Sequence, residues 1–113
     1  MKEIKAFIRP LMANSVCKAL KVNGYCCMTL TSCEGMGNYT DPADDHPSLK
    51  FPMMHSKVVK IEMVYPDKDV DAIINIIQKY GKTGHPGDGI IYLSDIQQVF
   101  RVKNGQSGKE AFS

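Results

Sequence analysis

The sequence predicts an α+β fold in which an antiparallel β-sheet carries two α-helices on one face. Several segments alternate apolar and polar residues, as strands with one buried face do. Two further segments repeat their apolar residues every three or four positions, as amphipathic helices do. The chain of 113 residues, of which 43% are hydrophobic and 23% are charged, is long enough for one domain with a modest core.

The first strand and the first helix are predicted within the first 24 residues. Residues 2–9 alternate, and Pro10 ends the strand because proline cannot donate to the ladder. Asn14 or Ser15 is predicted to cap the helix that follows. Gly24 is predicted to lie just after the last turn of this helix.

The middle of the chain is predicted to hold two strands separated by a long loop. Residues 25–33, rich in threonine and cysteine, form the second strand, and residues 57–65 form the third, which Pro66 closes. Residues 38–56, the long loop, show no periodicity and contain three prolines. Because a loop of this length in a small domain is usually functional or mobile, we expect one of these roles here.

The last part of the chain is predicted to contain a helix, a glycine-rich loop and a fourth strand. Asp67 or Asp69 is predicted to cap the helix, and Gly81 to end it. Residues 90–93 form the fourth strand, and residues 100–102 are predicted to form a short extra strand.

The order strand, helix, strand, strand, helix, strand predicts the ferredoxin-like βαββαβ plait. Residues 1–113 are expected to form a single domain with a polar C-terminal tail at residues 104–113. We expect the sheet face opposite the helices to be apolar and uncovered, which favours a homo-oligomer.

Composition excludes several classes of protein. A formal net charge of +2 without a dense basic stripe argues against nucleic-acid binding. No apolar run approaches the ~20 residues that span a bilayer, and the N-terminus differs from a signal peptide, so no membrane insertion is expected. The four cysteines lack zinc-type spacing and are predicted to be reduced thiols in a cytoplasmic protein.

The glycine-rich loop, "TGHPGDG" at residues 83–89, has a composition that suits anion binding. Glycines permit positive φ and close backbone approach, and successive N–H groups can form an anion-binding nest. The segment lacks the ending of a Walker A motif. An ordinary helix-to-strand connection remains the alternative.

Five segments, in order along almost the whole chain, resemble the P-II nitrogen-regulatory signalling proteins. They are "MKEIKAFIRP" at residues 1–10, "MTLTSCEGMG" at 28–37, "KIEMVYPD" at 60–67, "TGHPGDG" at 83–89 and "RVKNG" at 101–105. The resemblance implies a homotrimer with ATP or ADP bound in the clefts between subunits, and it leaves a role for Mg²⁺ open. It also implies that the long loop, residues 38–56, projects from the domain to engage a target protein.

The resemblance further implies the residues that contact the nucleotide. Gly35, Met36 and Gly37 would meet the phosphates at the base of the long loop; Thr29, Glu62, Met63 and Val64 would line the adenine and ribose; Thr83, Gly87, Asp88 and Gly89 would form the phosphate loop; Arg101 and Lys103 would reach the phosphates from the adjoining subunit. The family usually has arginine at both of the last two positions. Lysine keeps the charge but not the bidentate fork.

Four further positions depart from the family pattern. Val58 and Ile90 stand where the family has lysines, and Tyr39 stands where it has a glutamine that helps hold Mg²⁺ and 2-oxoglutarate. We therefore expect no sensing of 2-oxoglutarate by the usual route. Phe51 replaces the tyrosine that some members expose for nucleotidylation, and it has no hydroxyl to modify.

Two functions are predicted from these observations. The first is a non-catalytic adenine-nucleotide sensor that regulates a target protein through the long loop. The alternative is a metal-binding or metal-handling trimer linked to heavy-metal transport, with Asp44, Asp45, His46 and His55 as candidate ligands. An acidic mobile loop whose side chains do not converge is the plainer interpretation of those four residues.

Overall fold

The computed structural model describes residues 1–108, and its elements follow the predicted order. They are β1 (Lys2–Ile8), α1 (Pro10–Val22), β2 (Thr29–Gly35), a 3-10 turn (Pro42–Asp44), β3 (Ser56–Tyr65), α2 (Asp67–Gly81) and β4 (Ile90–Asp95). The strands form one antiparallel sheet in the order β2-β3-β1-β4. The predicted fold class is therefore confirmed.

The core lies between the sheet and the two helices. Its side chains come from alternate positions of the two central strands and from one face of each helix, namely Ile4, Ala6, Ile8, Val16, Leu20, Ile61, Met63, Tyr65, Val70, Ile73 and Ile77. Alternation in β1 and in most of β3 therefore reports directly which side chains face the helices.

Helix α1 begins earlier than predicted. The first helical residue is Pro10, Arg9 occupies the N-cap position, and Asn14 and Ser15 lie inside the helix. Proline suits this first position because its fixed φ is helical and its missing N–H would have had no partner there. Residues 25–28 are not part of β2, which begins at Thr29.

The predicted caps of α2 are also wrong. Pro66 holds the N-cap position and has no side-chain acceptor, so Asp67 and Asp69 lie in the first turn of the helix. There their carboxylates still oppose the positive end of the helix dipole.

The C-terminal segment contains no extra strand at residues 100–102. Phe100 makes an isolated bridge to Ser107, and a turn at residues 102–104 separates them. Part of the predicted tail, residues 109–113, lies outside the described residues. Among residues 1–108 there is no helix with the length and apolar character needed to cross a membrane.

The sheet face opposite the helices, which we call the open face, is less apolar than predicted. Lys60 and Glu62 form an ion pair of 3.0 Å on this face. Phe7 stacks on Tyr92 with ring centroids 5.6 Å apart, and Val58 is buried. Because alternation in β3 places charged and apolar residues on the same side, this face has a mixed character.

Candidate functional site

The glycine-rich loop is organised around the carboxylate of Asp88. This carboxylate accepts hydrogen bonds from the Thr83 N–H at 2.9 Å, the Thr83 hydroxyl at 2.6 Å and the Gly84 N–H at 2.9 Å. Partial burial alone would raise the pKa of Asp88, but these bonds and one from Arg9 outweigh it and hold the pKa well below its ordinary value. Asp88 is therefore ionised, and its carboxylate holds Thr83 and Gly84 at the start of the loop.

Arg9 joins this loop to the long loop. The Arg9 Nε donates to Asp88 at 2.9 Å, and the guanidinium also pairs with Asp41 in the long loop. A third bond runs from Nη2 to the Pro86 carbonyl oxygen at 2.6 Å. Only 13% of the Arg9 side chain is exposed. One cation at the end of β1 therefore holds two loops that are distant in sequence.

Two glycines of the loop lie against neighbouring backbone. Gly87 has φ +89°, and a Cβ added to it would lie 2.2 Å from the Thr40 carbonyl oxygen. Gly89 has φ +111°, and its added Cβ would lie 1.9 Å from the Phe7 carbonyl oxygen. No side chain fits at either position, so the loop requires glycine here for close packing as well as for conformation.

The base of the long loop lies beside the glycine-rich loop. Gly37 has φ +116°, and its carbonyl oxygen accepts a hydrogen bond of 2.8 Å from the Thr40 hydroxyl. Gly37, Thr40 and Pro86 line one cleft of about 540 Å³. The structure thus brings residues 35–37 and 83–89, which we call the glycine end, to one end of the sheet.

The residues predicted to contact adenine and ribose line a different cleft. This second cleft, of about 520 Å³, has Thr29, Glu62, Met63 and Val64 in its walls, and Thr29 is paired directly with Glu62 in the sheet. Arg101 lies close enough for its charge to act on the nearby Cys27 thiol, which also lines the cleft.

Arg101 and Lys103 carry the cations that the resemblance assigns to phosphate. The backbone N–H of Arg101 donates to the Gln106 carbonyl oxygen at 2.7 Å, and Lys103 is exposed in the turn that follows. Within residues 1–108 neither side chain has an ion-pair partner.

The glycine end and the second cleft do not meet within one chain. Thr29 begins β2 and Gly35 ends it, so the six intervening steps separate the two groups by about 20 Å.

The sequence analysis did not identify Arg9 and Asp41 as residues of the site. The sequence did indicate where Arg9 lies, because Pro10 ends β1 and leaves Arg9 beside the start of β4.

The four departing positions differ in their surroundings. Val58 is buried, and the ring of Tyr39 packs edge-on against Phe7 with centroids 6.2 Å apart. Ile90 is 41% exposed and Phe51 is 38% exposed. None of these side chains supplies a charge.

Two of the candidate metal ligands lie together and two do not. His46 and His55 face each other across a β-bridge, with ring centroids 4.7 Å apart. The Asp45 carboxylate accepts a hydrogen bond from the Ser56 hydroxyl, and the Asp44 carboxylate accepts one from the Lys57 N–H. The carboxylate beside the two imidazoles belongs to Glu34, which the sequence did not identify.

Comparison with known proteins places these features in a family context. The family profile described as "Nitrogen regulatory protein P-II" matches residues 1–106. The chain is 37% identical to "Nitrogen regulatory protein P-II 2" of Methanothermobacter thermautotrophicus, over 98% of this chain and 96% of the relative. It is 34% identical to "Nitrogen regulatory protein P-II" of Porphyra purpurea and 31% identical to that of Rhizobium meliloti, each over 98% of this chain and 99% of the relative.

Proposed function

The chain belongs to the family of P-II nitrogen regulatory proteins, and from this premise we propose that it is a non-catalytic regulator that senses ATP or ADP. In the proposal the protein is a homotrimer, and residues 38–56 act on a target protein. The observation that carries the proposal is the position of the glycine end and the second cleft at opposite ends of β2 in each chain.

A contact between copies of the chain would complete each nucleotide site. Because the two groups differ, the glycine end of one chain must face the second cleft of the next, which is a head-to-tail contact. Three such contacts would close a ring with one site at each interface. The mixed open face offers both apolar and charged groups for burial in such a ring.

Charge supports this arrangement. Arg101 lies near Cys27 in the wall of the second cleft, and Lys103 follows it by two residues. The glycine end contributes backbone N–H groups and an ionised Asp88 that already accepts several hydrogen bonds. Arg9, the cation beside the glycine end, is already paired with Asp88 and Asp41, so a phosphate chain there would take further cations from the neighbouring chain.

The same contacts connect the site to the long loop. Gly87 packs on Thr40, and Arg9 holds Asp88 and Asp41 together. The loop base would have two arrangements, one with nucleotide bound and one without, and the target would bind them with different affinities.

Tyr39, Val58 and Ile90 lack the amide and amine groups that the family carries at these positions. For this reason 2-oxoglutarate would not add to the effect of nucleotide on the long loop. The free cysteines support a cytoplasmic location.

Replacing Arg101 by alanine should weaken ATP binding about tenfold or more, because a charge-assisted contact is worth roughly 1.5–3 kcal/mol. Titration calorimetry on the variant and on wild type would measure the change. Lys68→Ala is the matched control, since Lys68 is exposed in the first turn of α2 and lines neither cleft. Equal affinity in the Arg101 variant and the control would contradict the assignment of Arg101 to phosphate.

A further inference from the structure

Three side chains meet where the long loop returns to the sheet. Glu34 precedes the last residue of β2, and His46 and His55 lie on the two arms of the long loop. Glu34 Oε1 lies 2.9 Å from His55 Nε2 and 3.5 Å from His46 Nε2. One atom from each of the three residues falls within 4.8 Å of the others.

Backbone carbonyls fix the tautomer of both imidazoles. His46 Nδ1 contacts the Asp44 carbonyl oxygen at 2.6 Å, and His55 Nδ1 contacts the Met53 carbonyl oxygen at 2.8 Å. A carbonyl oxygen can only accept, so each Nδ1 carries the proton. In the neutral rings, each Nε2 then directs a lone pair towards the Glu34 carboxylate.

The His55 side chain is the most constrained member of the group. It is 2% exposed, and its Nε2 completes no hydrogen bond with any of residues 1–108, although Glu34 Oε1 is near. A buried imidazole lone pair that faces a second lone pair and a carboxylate has no partner of opposite charge. While both rings are neutral, this arrangement is unfavourable unless a metal cation joins the three atoms.

We propose that Glu34, His46 and His55 bind a divalent transition-metal ion such as Zn²⁺. Imidazole nitrogen and carboxylate oxygen are ligands that Zn²⁺ accepts readily, and contacts from the other imidazole nitrogen to backbone carbonyls are typical of metal-binding histidines. Three protein ligands leave a coordination position for water or for a ligand from a partner.

The bound ion would act on the long loop. His46 and His55 belong to opposite arms, and Glu34 belongs to the sheet, so one ion would tie both arms to β2. The loop base would then be ordered by metal independently of nucleotide. This site shares no residue with either of the two clefts assigned to nucleotide.

Binding of Zn²⁺ to the nucleotide-free protein tests the proposal. Competition with a chromophoric chelator should show one Zn²⁺ per chain, and Co²⁺ should give the visible absorption bands of a protein-coordinated ion. Glu34→Gln and His46→Ala should each weaken Zn²⁺ binding by at least the 10–100-fold that loss of an outer-shell partner typically costs. Both residues are partly exposed, so these variants should fold.

His85→Ala is the matched control, because His85 is exposed and lies in the glycine-rich loop. It should bind Zn²⁺ as wild type does. Absence of Zn²⁺ binding in the wild type would overturn the proposal. Equal weakening in the His85 variant, or undiminished binding in Glu34→Gln and His46→Ala, would overturn it as well. None of these results depends on whether nucleotide binds.

Discussion

Replacing Gly87 by alanine is expected to lower the free energy of unfolding by about 3 kcal/mol or more. A positive φ in a residue with a Cβ costs about 1–3 kcal/mol, and forcing an extra methyl into packed structure costs about the same again. At Gly87 the new Cβ would meet the Thr40 carbonyl oxygen at 2.2 Å, so the backbone of one of the two loops must move. Thermal or denaturant unfolding at one fixed protein concentration would measure the loss.

Gly84→Ala separates the two causes. Gly84 has φ +86°, close to that of Gly87, but nothing lies within 4 Å of its added Cβ. This variant should therefore lose only the conformational part, about 1 kcal/mol. If the two variants unfolded at the same denaturant concentration, the close contact between Gly87 and the long loop would not exist as described.

Replacing Arg9 by methionine is expected to destabilise the protein by about 2–3 kcal/mol at neutral pH. The methionine keeps most of the side-chain volume but leaves Asp41 and Asp88 without their common cation, and leaving a buried charge unpaired costs up to about 3–5 kcal/mol. We expect the lower value because 26% of the Asp88 side chain remains exposed. Nucleotide affinity should fall too, because Arg9 would no longer hold the glycine-rich loop beside the long loop.

The effect of the Arg9 substitution should depend on pH. Because Arg9 helps to hold the pKa of Asp88 below its ordinary value, the stabilisation is present above the unfolded pKa of about 3.9 and is lost as the pH falls towards the folded pKa. The difference between variant and wild type should therefore shrink below about pH 4. Lys2→Met is the control, because 85% of the Asp95 side chain in its ion pair is exposed, so solvent screens the pair and its loss should cost less than the loss of Arg9. A difference that stays constant down to low pH would contradict the role of the Arg9–Asp88 pair.

The strand and helix order could be predicted because the period of the apolar residues reports burial directly. Residues 2–9 and residues 57–65 alternate as their burial alternates along most of both strands. The starts of α1 and α2 were mispredicted because a proline near each helix start outweighed the more familiar capping side chains. Capping preferences are assigned to each residue type separately. Pro10 and Pro66 instead set the helix starts by their position just after a strand.

From the residue pattern alone, the site could be predicted only where its residues are close in sequence, and the grouping of Thr29 with Glu62 came from the resemblance. The glycine-rich loop is continuous, but Arg9 reaches Asp88 across 79 positions of the chain. Glu34 meets His55 because the register of β2 on β3 pairs Gly35 with Ser56. Such register is set by the assembled sheet, and the local pattern around Glu34 does not show which histidine will lie beside it.

Dilution of the protein with and without ATP tests most directly the claim that two chains share each nucleotide site. A ligand that bridges two chains must stabilise their contact, by linkage. Light scattering or single-molecule mass measurement should therefore give the mass of three chains, and ATP should preserve that mass to lower protein concentration. Arg101→Ala should reduce this effect of ATP. A mass near that of one chain at micromolar concentration, or a dilution curve that ATP leaves unchanged, would contradict the shared site.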